Sequence, residues 1–176
     1  MTVETKTDLL MESLVEFYKD KNYILELRDI IESKSILSLR LLDWFVTNYS
    51  KKYIIILNTG GPRGFNVYQN YKLQLKGFAK LNFDPFSRSG KLMFYYNDND
   101  VDYIKTSCSQ LCFFRWCFQH GILDYVKKNL ESIENDMKVS LKVSKSLSLN
   151  KKRKSLSLSA SRGIIKHHVS CIVDFN

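Results

Sequence analysis

The sequence lacks the features that define several large classes of protein. No run approaches the roughly 18 consecutive apolar residues of a membrane span, so we expect no helix to cross a bilayer. The N-terminus does not join a basic segment to an apolar one, so a secretory signal is not expected. The H-E-x-x-H, G-x-S-x-G and Walker patterns are also missing. These absences favour a protein that is not an enzyme and has no cofactor.

Cysteine is scarce and clustered. The chain has four cysteines, and Cys108, Cys112 and Cys117 lie in one apolar stretch, which is not the framework of a disulfide-stabilised secreted domain. We therefore expect a reducing compartment, the cytosol or the nucleus. On a helix Cys108 and Cys112 would share a face, and they could join His167 and Cys171 in a zinc site. Buried thiols acting as small hydrophobic side chains are the simpler interpretation, and we predict no metal.

Apolar residues recur at helical spacing through much of the first 137 residues. The pattern predicts helices over 7–19, 22–32, 36–49, 65–82 and 122–130, with short strands at 53–57 and 92–96. The segment 107–120 is apolar nearly all round, which is typical of a buried helix. Ser107 and Gln110 have the spacing of a capping box, and Gly121 is a natural end. Arg115 is the only formal charge of this helix, and Asp43 is its candidate partner.

From residue 137 the apolar pattern changes to period two. Apolar residues alternate with polar ones over 137–149, and again over 156–160 and 169–175, which is typical of half-buried strands. A Ser/Lys-rich disordered tail is the alternative. We predict an α+β fold, in which a mostly helical body with short strands, 1–137, is followed by a small antiparallel C-terminal sheet within 138–176.

Basic charge is concentrated at the C-terminus. The net charge is +9, and residues 138–176 hold nine basic residues and one acid, so the body is close to neutral. A basic appendage on a neutral domain suggests a polyanionic partner, either nucleic acid or an anionic membrane surface. A solvated tail that only improves solubility is the alternative.

Within the body, basic residues are most regular in 65–82. Lys72, Lys76 and Lys80 recur every fourth residue and would form one stripe on a helix, with Arg88 and Lys91 in the turn that follows. Such a face can neutralise phosphates, although an ordinary amphipathic helix with lysines on its solvent side has the same pattern. The predicted nucleic-acid-binding residues are Lys72, Lys76, Lys80, Arg88, Lys91, Lys151, Lys152, Arg153 and Lys154.

Two loops imitate ligand-binding motifs without completing them. The glycine-rich loop 60–64 matches neither the P-loop nor the dinucleotide fingerprint, so we interpret it as a plain turn. Aspartates at 98, 100 and 102 resemble the opening of an EF-hand loop. Tyr103 stands where that loop needs glycine, however, and Ser109 where it needs glutamate. We predict no calcium site.

Four segments carry a resemblance to a known group of proteins. They are LRLLDWFVTNYSKK, FNVYQNYKLQLKGFAKLNFDPFSRS, SQLCFFRWCFQHGILDYV and KKRKSLSLSASRGIIKHHVSCIVDF. Through them the chain resembles small uncharacterised proteins of the nucleocytoplasmic giant DNA viruses over most of 39–176. The resemblance implies no particular activity. It implies a viral setting: the host cytoplasm with its viral factory, the host nucleus, or the virion.

The residues and the resemblance together favour a non-enzymatic viral accessory protein that binds nucleic acid, DNA or RNA, through its phosphates. The alternative is a structural or protein–protein adaptor, such as a virion component, whose C-terminal sheet pairs with other viral proteins. Binding that weakens steeply with salt would distinguish the first hypothesis from the second.

Overall fold

The computed structural model describes residues 6–58, 64–78, 82–87, 90–96 and 102–149. Its helices are α1 (Lys6–Phe17), α2 (Lys21–Ile31), α3 (Leu39–Trp44), α4 (Ser50–Tyr53), α5 (Val67–Phe78), α6 (Cys108–Gln119), α7 (Ile122–Lys128) and α8 (Leu130–Leu149). A π-helical segment, Phe45–Tyr49, joins α3 to α4. The strands are β1 (Ile56–Leu57), β2 (Phe65–Asn66), β3 (Lys91–Tyr95) and β4 (Tyr103–Ser107).

The predicted α+β class is confirmed, since helices dominate and the strands form two small antiparallel pairs. In the first pair Ile56 lies opposite Asn66. In the second pair β3 and β4 align over five residues each, from Lys91 opposite Ser107 to Tyr95 opposite Tyr103. In the described part of the chain, none of the helices is long and apolar enough to cross a membrane.

Helix α6 is the buried centre of the body, as its apolar circumference predicted. Its fully or nearly fully buried apolar side chains are Leu111, Cys112, Phe113, Phe114, Trp116 and Cys117. The Ser107 hydroxyl caps the helix by accepting a hydrogen bond from the Gln110 backbone N–H at 3.2 Å. Gly121 follows with φ of +63°, the left-handed conformation that ends helices at little cost for glycine.

Only half of the predicted capping box forms. The Gln110 side chain donates to the Pro85 carbonyl at 2.7 Å and accepts from the Thr106 hydroxyl at 3.2 Å. Gln110 is buried, so its amide needs partners from neighbouring elements, and a backbone carbonyl outside the helix is the one it meets. The contact with Pro85 therefore replaces the hydrogen bond that the Gln110 side chain would make to the Ser107 backbone N–H in a complete capping box.

Helix α1 is held against α6 by polar contacts at two depths. The buried Tyr18 hydroxyl donates to the Leu111 carbonyl at 2.9 Å, and burial raises the pKa of Tyr18. Nearer the surface, Arg115 donates to the Ser13 hydroxyl at 2.9 Å. Arg115 thus reaches Ser13 on α1 and not the predicted partner, Asp43, whose pKa is raised by its own burial.

The first of the predicted C-terminal strands is wrong, because 137–149 belongs to helix α8. Met137 lies one turn after the buried Ile133 and packs against the same core, which is helical spacing. Lys138 pairs with Glu134 at 2.8 Å, also four residues apart. Apolar residues at 137, 139, 141 and 143 fit two rows on a helix as well as one face of a strand. A short alternating run therefore does not distinguish a helix from a strand.

By compactness the chain divides into two units, 1–140 and 141–176. The second unit is described only as far as the end of α8. The remaining part of the predicted C-terminal sheet, over 150–176, lies outside the described residues. The predicted boundary at 137 stays a prediction.

Candidate nucleic-acid interface

The chain between Trp44 and Phe83 contains no acidic residue. Its six basic residues are Lys51, Lys52, Arg63, Lys72, Lys76 and Lys80. Such a segment can offer phosphates a surface without local repulsion, provided that folding leaves its lysines exposed. The packing of α4 and α5 determines which of these lysines are exposed.

Helix α5 begins at a side-chain cap and turns one face to the core. The Asn66 side-chain oxygen accepts from the Gln69 backbone N–H at 3.0 Å, which satisfies a free donor of the first turn. Val67 and Tyr71 are buried, and burial raises the pKa of Tyr71 to about 12. The indole N–H of Trp116 donates to the Asn70 side-chain oxygen at 2.8 Å, so this face is tied to α6.

Lys72 and Lys76 occupy the opposite, exposed face of α5. They are one helical turn apart, and Tyr68 precedes them by one more turn. Neither lysine forms an ion pair with any side chain that the structure describes. Like charges at this spacing repel each other by about 0.2–0.5 kcal/mol, and a bound polyanion would relieve this repulsion.

Lys51 extends the same cationic surface onto α4. Its ammonium lies 5.7 Å from the centroid of the Tyr68 ring, a cation–π contact between the two helices. We define the basic face as Lys51, Tyr68, Lys72 and Lys76. The sequence did not predict Lys51 or Tyr68 as part of the site. They are 17 positions apart, too far for the spacing rules of a single helix to relate them. The absence of acids over this segment was the available signal.

Lys52, the next residue, is used differently. Its ammonium pairs with the carboxylate of Asp136 on α8, whose side chain is only 6% exposed. The Trp44 indole N–H and the Tyr53 hydroxyl also donate to this carboxylate, each at 3.1 Å. Burial alone would raise the pKa of Asp136, but these hydrogen bonds and the Lys52 charge outweigh it and hold the pKa below its ordinary value.

The structure separates the predicted binding residues. Lys72 and Lys76 lie together on α5, as predicted, whereas exposed Lys91 begins β3 in a different element. Lys80 and Arg88 lie outside the described residues, and so does the cluster 151–154. The structure therefore brings together two of the predicted residues and adds Lys51.

The cysteine and histidine candidates behave mainly as core residues. His120 stacks on Phe65 with ring centroids 4.0 Å apart, and burial lowers its pKa. Cys108 is half-buried at the start of α6, where a hydrogen bond from the Cys112 thiol, aided by the charge of Arg115, lowers its pKa to about 7. Within the described ranges, no three potential ligands from His, Cys, Asp and Glu come together. His167 and Cys171 fall outside those ranges.

Comparison with known proteins gives a family and a relative. The model of a family of unknown function (DUF7197) matches residues 2–170 of this chain. "Uncharacterized protein L507" of Acanthamoeba polyphaga mimivirus is 40% identical over 147 residues, which is 80% of this chain and 57% of that protein. The chain thus spans little more than half the length of this relative. No solved structure matches the chain. The predicted resemblance to uncharacterised proteins of giant DNA viruses is confirmed.

Proposed function

The chain belongs to DUF7197, a family of unknown function, and we propose that it is a non-enzymatic protein that binds nucleic acid through sequence-independent contacts to phosphates. The basic face carries the proposal. Lys51, Lys72 and Lys76 are exposed on two adjoining helices, within a stretch of chain that has no acid. Side chains that neutralise phosphates in this way do not contact the bases. Such binding is independent of sequence and suits DNA and RNA alike.

The geometry of the basic face suits a flexible polyanion. Lysine side chains are long, and an ammonium can donate hydrogen bonds to phosphate oxygens in many directions. Tyr68 lies among the lysines, half-buried, and its ring contacts the Lys51 ammonium. A face of this kind supports binding whose free energy comes largely from the release of counterions, so the affinity should fall steeply with salt.

The other predicted residues extend the proposal beyond this face. Lys91 is exposed at the start of β3, and Lys80, Arg88 and the cluster 151–154 would add further phosphate contacts. In the viral setting that the relative supports, such a protein would accompany nucleic acid in the host cytoplasm, the host nucleus or the virion.

Binding of the full chain to labelled single strands and duplexes, measured at low and near-physiological salt, tests this function. The variant K72Q/K76Q should bind more weakly, and its plot of log affinity against log salt should be shallower by about two, since each lost phosphate contact lowers the slope by about one. A variant with the basic residues 151–154 changed to Gln measures the share of the C-terminal cluster.

The matched control is K19Q/K138Q, which removes the same two charges. Lys19 and Lys138 already pair with Glu16 and Glu134, so their loss should leave binding nearly unchanged. Equal effects of the two double variants would mean that only net charge attracts the polymer, and would contradict a specific basic face. Failure of the wild-type chain to bind at low salt would overturn the proposed function.

A protein–protein adaptor is the second candidate. Its support is the exposed apolar side chains at the end of α4 and in β1, where Ile54 and Ile56 are 67% and 57% exposed. Apolar groups grouped on a surface mark contact sites more often than isolated ones do. The polar variants I54N and I56T should then reduce self-association or co-purification with viral proteins, and leave salt-dependent nucleic-acid binding intact.

A further inference from the structure

The antiparallel pair β3–β4 has one face in the core and one in solvent. Phe94, Ile104 and Thr106 are buried beneath it. Alternation along the strands therefore turns the other set outward. The outward side chains, all exposed, are Lys91, Met93, Tyr95, Tyr103 and Lys105.

The end of this outward face where the strands connect is aromatic, and Met93 lies next to it. Tyr95 and Tyr103 lie directly opposite each other, with ring centroids 5.6 Å apart. They are 46% and 41% exposed, and the neighbouring Met93 is 53% exposed. Exposed tyrosine rings on a sheet present π-faces at little cost in side-chain entropy. These two rings are thus positioned to stack on flat aromatic groups.

The charge on the face favours an anion at one end. Lys105, opposite Met93, and Lys91, at the far end of the ladder, lie on the same side of the tyrosine pair, and neither is ion-paired with any described side chain. Asp102 immediately precedes Tyr103, so the opposite end, where the strands connect, is acidic. A single strand lying along the face would therefore place its phosphates at the lysine end and only its uncharged bases at the tyrosine pair, next to the strand connection.

Tyr103 also borders a recess large enough for a small planar group. With Ile31, Glu32, Ile104 and Lys105 it lines a groove of about 360 Å³, within the range of small-molecule sites. Glu32 is the acidic group of this groove, and Lys34 pairs with its carboxylate. The groove is therefore a mixed apolar and polar recess beside an exposed ring.

We propose that the β3–β4 face binds bases of single-stranded nucleic acid. Tyr95 and Tyr103 stack on the bases, and Lys91 and Lys105 contact the adjoining phosphates. This inference rests on the proposed function and names its preferred substrate. In a duplex the base faces are hidden in the helical stack, so only an unpaired strand offers them to protein rings.

The test compares a labelled single strand with the duplex of the same sequence, using full-chain variants. Y95I/Y103I keeps β-branched residues suited to strands but removes the π-faces. Its affinity for the single strand should fall by roughly 5- to 150-fold per stacked base, while duplex affinity stays near the wild-type value. Y95F/Y103F keeps both rings and should bind the single strand like the wild type.

Two further variants separate the possible outcomes. F86L removes another exposed aromatic ring, 44% exposed, and should change neither affinity. K72Q/K76Q should weaken binding of the single strand and of the duplex alike.

If the wild type binds both forms but Y95I/Y103I changes neither affinity, the stacking face is overturned and the proposed function stands. If Y95I/Y103I instead abolishes self-association without affecting single-strand affinity, the face binds protein. If the wild type binds neither form, both proposals fail.

Discussion

Lys51 and Lys52 are neighbours on α4, yet they meet opposite environments. Lys51 lies over Tyr68 in a surface without acidic side chains along the chain from Trp44 to Phe83. Lys52 lies against Asp136, a nearly buried carboxylate that also accepts hydrogen bonds from Trp44 and Tyr53. Of two adjacent residues with the same charge, one is available to a partner and the other holds α4 against α8.

Charge alone therefore does not mark a binding residue. A carboxylate that is largely out of water must be paired and hydrogen-bonded, so its cationic neighbour has a structural role. A lysine with no such carboxylate nearby keeps its charge for solvent or for a polyanion. Substitutions around Asp136 should therefore change stability, and substitutions on the basic face should change binding.

The largest effect is expected from D136N. The amide cannot balance the Lys52 charge, and its NH₂ group cannot accept the hydrogen bonds that the carboxylate accepted. We expect the free energy of unfolding to fall by about 2 kcal/mol, since hydrogen bonds to a charged acceptor are the stronger kind. Urea denaturation followed by circular dichroism measures it. Nucleic-acid affinity should not fall. A loss of binding as large as that of K72Q/K76Q would contradict the separation of stability, around Asp136, from binding, on the basic face.

The same carboxylate predicts an acid-sensitive contribution to stability. The pKa of Asp136 is lower in the folded state than its ordinary value of 3.8, so unfolding takes up a proton in this range. The contribution is complete above the ordinary value and is lost as the pH falls through the folded pKa. The stability of D136N should therefore approach that of the wild type as the pH falls below 3.8. A gap that stays constant with pH would show that the hydrogen bonds of Asp136 do not depend on its charge.

An intermediate effect is expected from exchanging the two lysines in turn for glutamine. K51Q should weaken nucleic-acid binding and lower the salt slope by about one, while the lost contact with Tyr68 should lower the free energy of unfolding by at most about 1 kcal/mol. K52Q should lower the midpoint of thermal unfolding and leave the salt slope unchanged, because its charge is already opposed by Asp136. Anisotropy titrations and thermal melts of both variants give the two readouts. Identical behaviour of K51Q and K52Q in either assay would remove the distinction between them.

The smallest effect concerns the residue that ends α4. Ile54 has φ of +51° and ψ of +58°, a left-handed conformation that is unfavourable for a β-branched residue, and its side chain is 67% exposed. Asparagine tolerates this conformation, so I54N should raise the free energy of unfolding by about 1 kcal/mol. The control is I56T, whose side chain is also exposed but whose residue lies in a strand. A destabilised I54N would mean that Ile54 makes apolar contacts that outweigh the backbone strain.

Periodicity in the sequence was enough to find α6 and α5. The apolar circumference of 107–120 predicted a buried helix, and the Lys72–Lys76 spacing predicted an exposed row; both are confirmed. The same reasoning failed at 137–149, because a short run of alternating apolar residues fits helical rows as well as a strand. It also missed that Gln110 bonds to Pro85, since no local rule brings those residues together.

The sequence by itself determined the balance of charge, the helical body and the lysine row of α5, since these depend on composition and on spacing within one helix. Tertiary structure alone decided that Lys51 joins that row through Tyr68 and that Lys52 is held by Asp136, 84 residues further along the chain. It also decided that Tyr95 and Tyr103 face outward together, because pairing of β3 with β4 sets their register. The physical reason is that burial and charge pairing act between elements that only folding brings into contact.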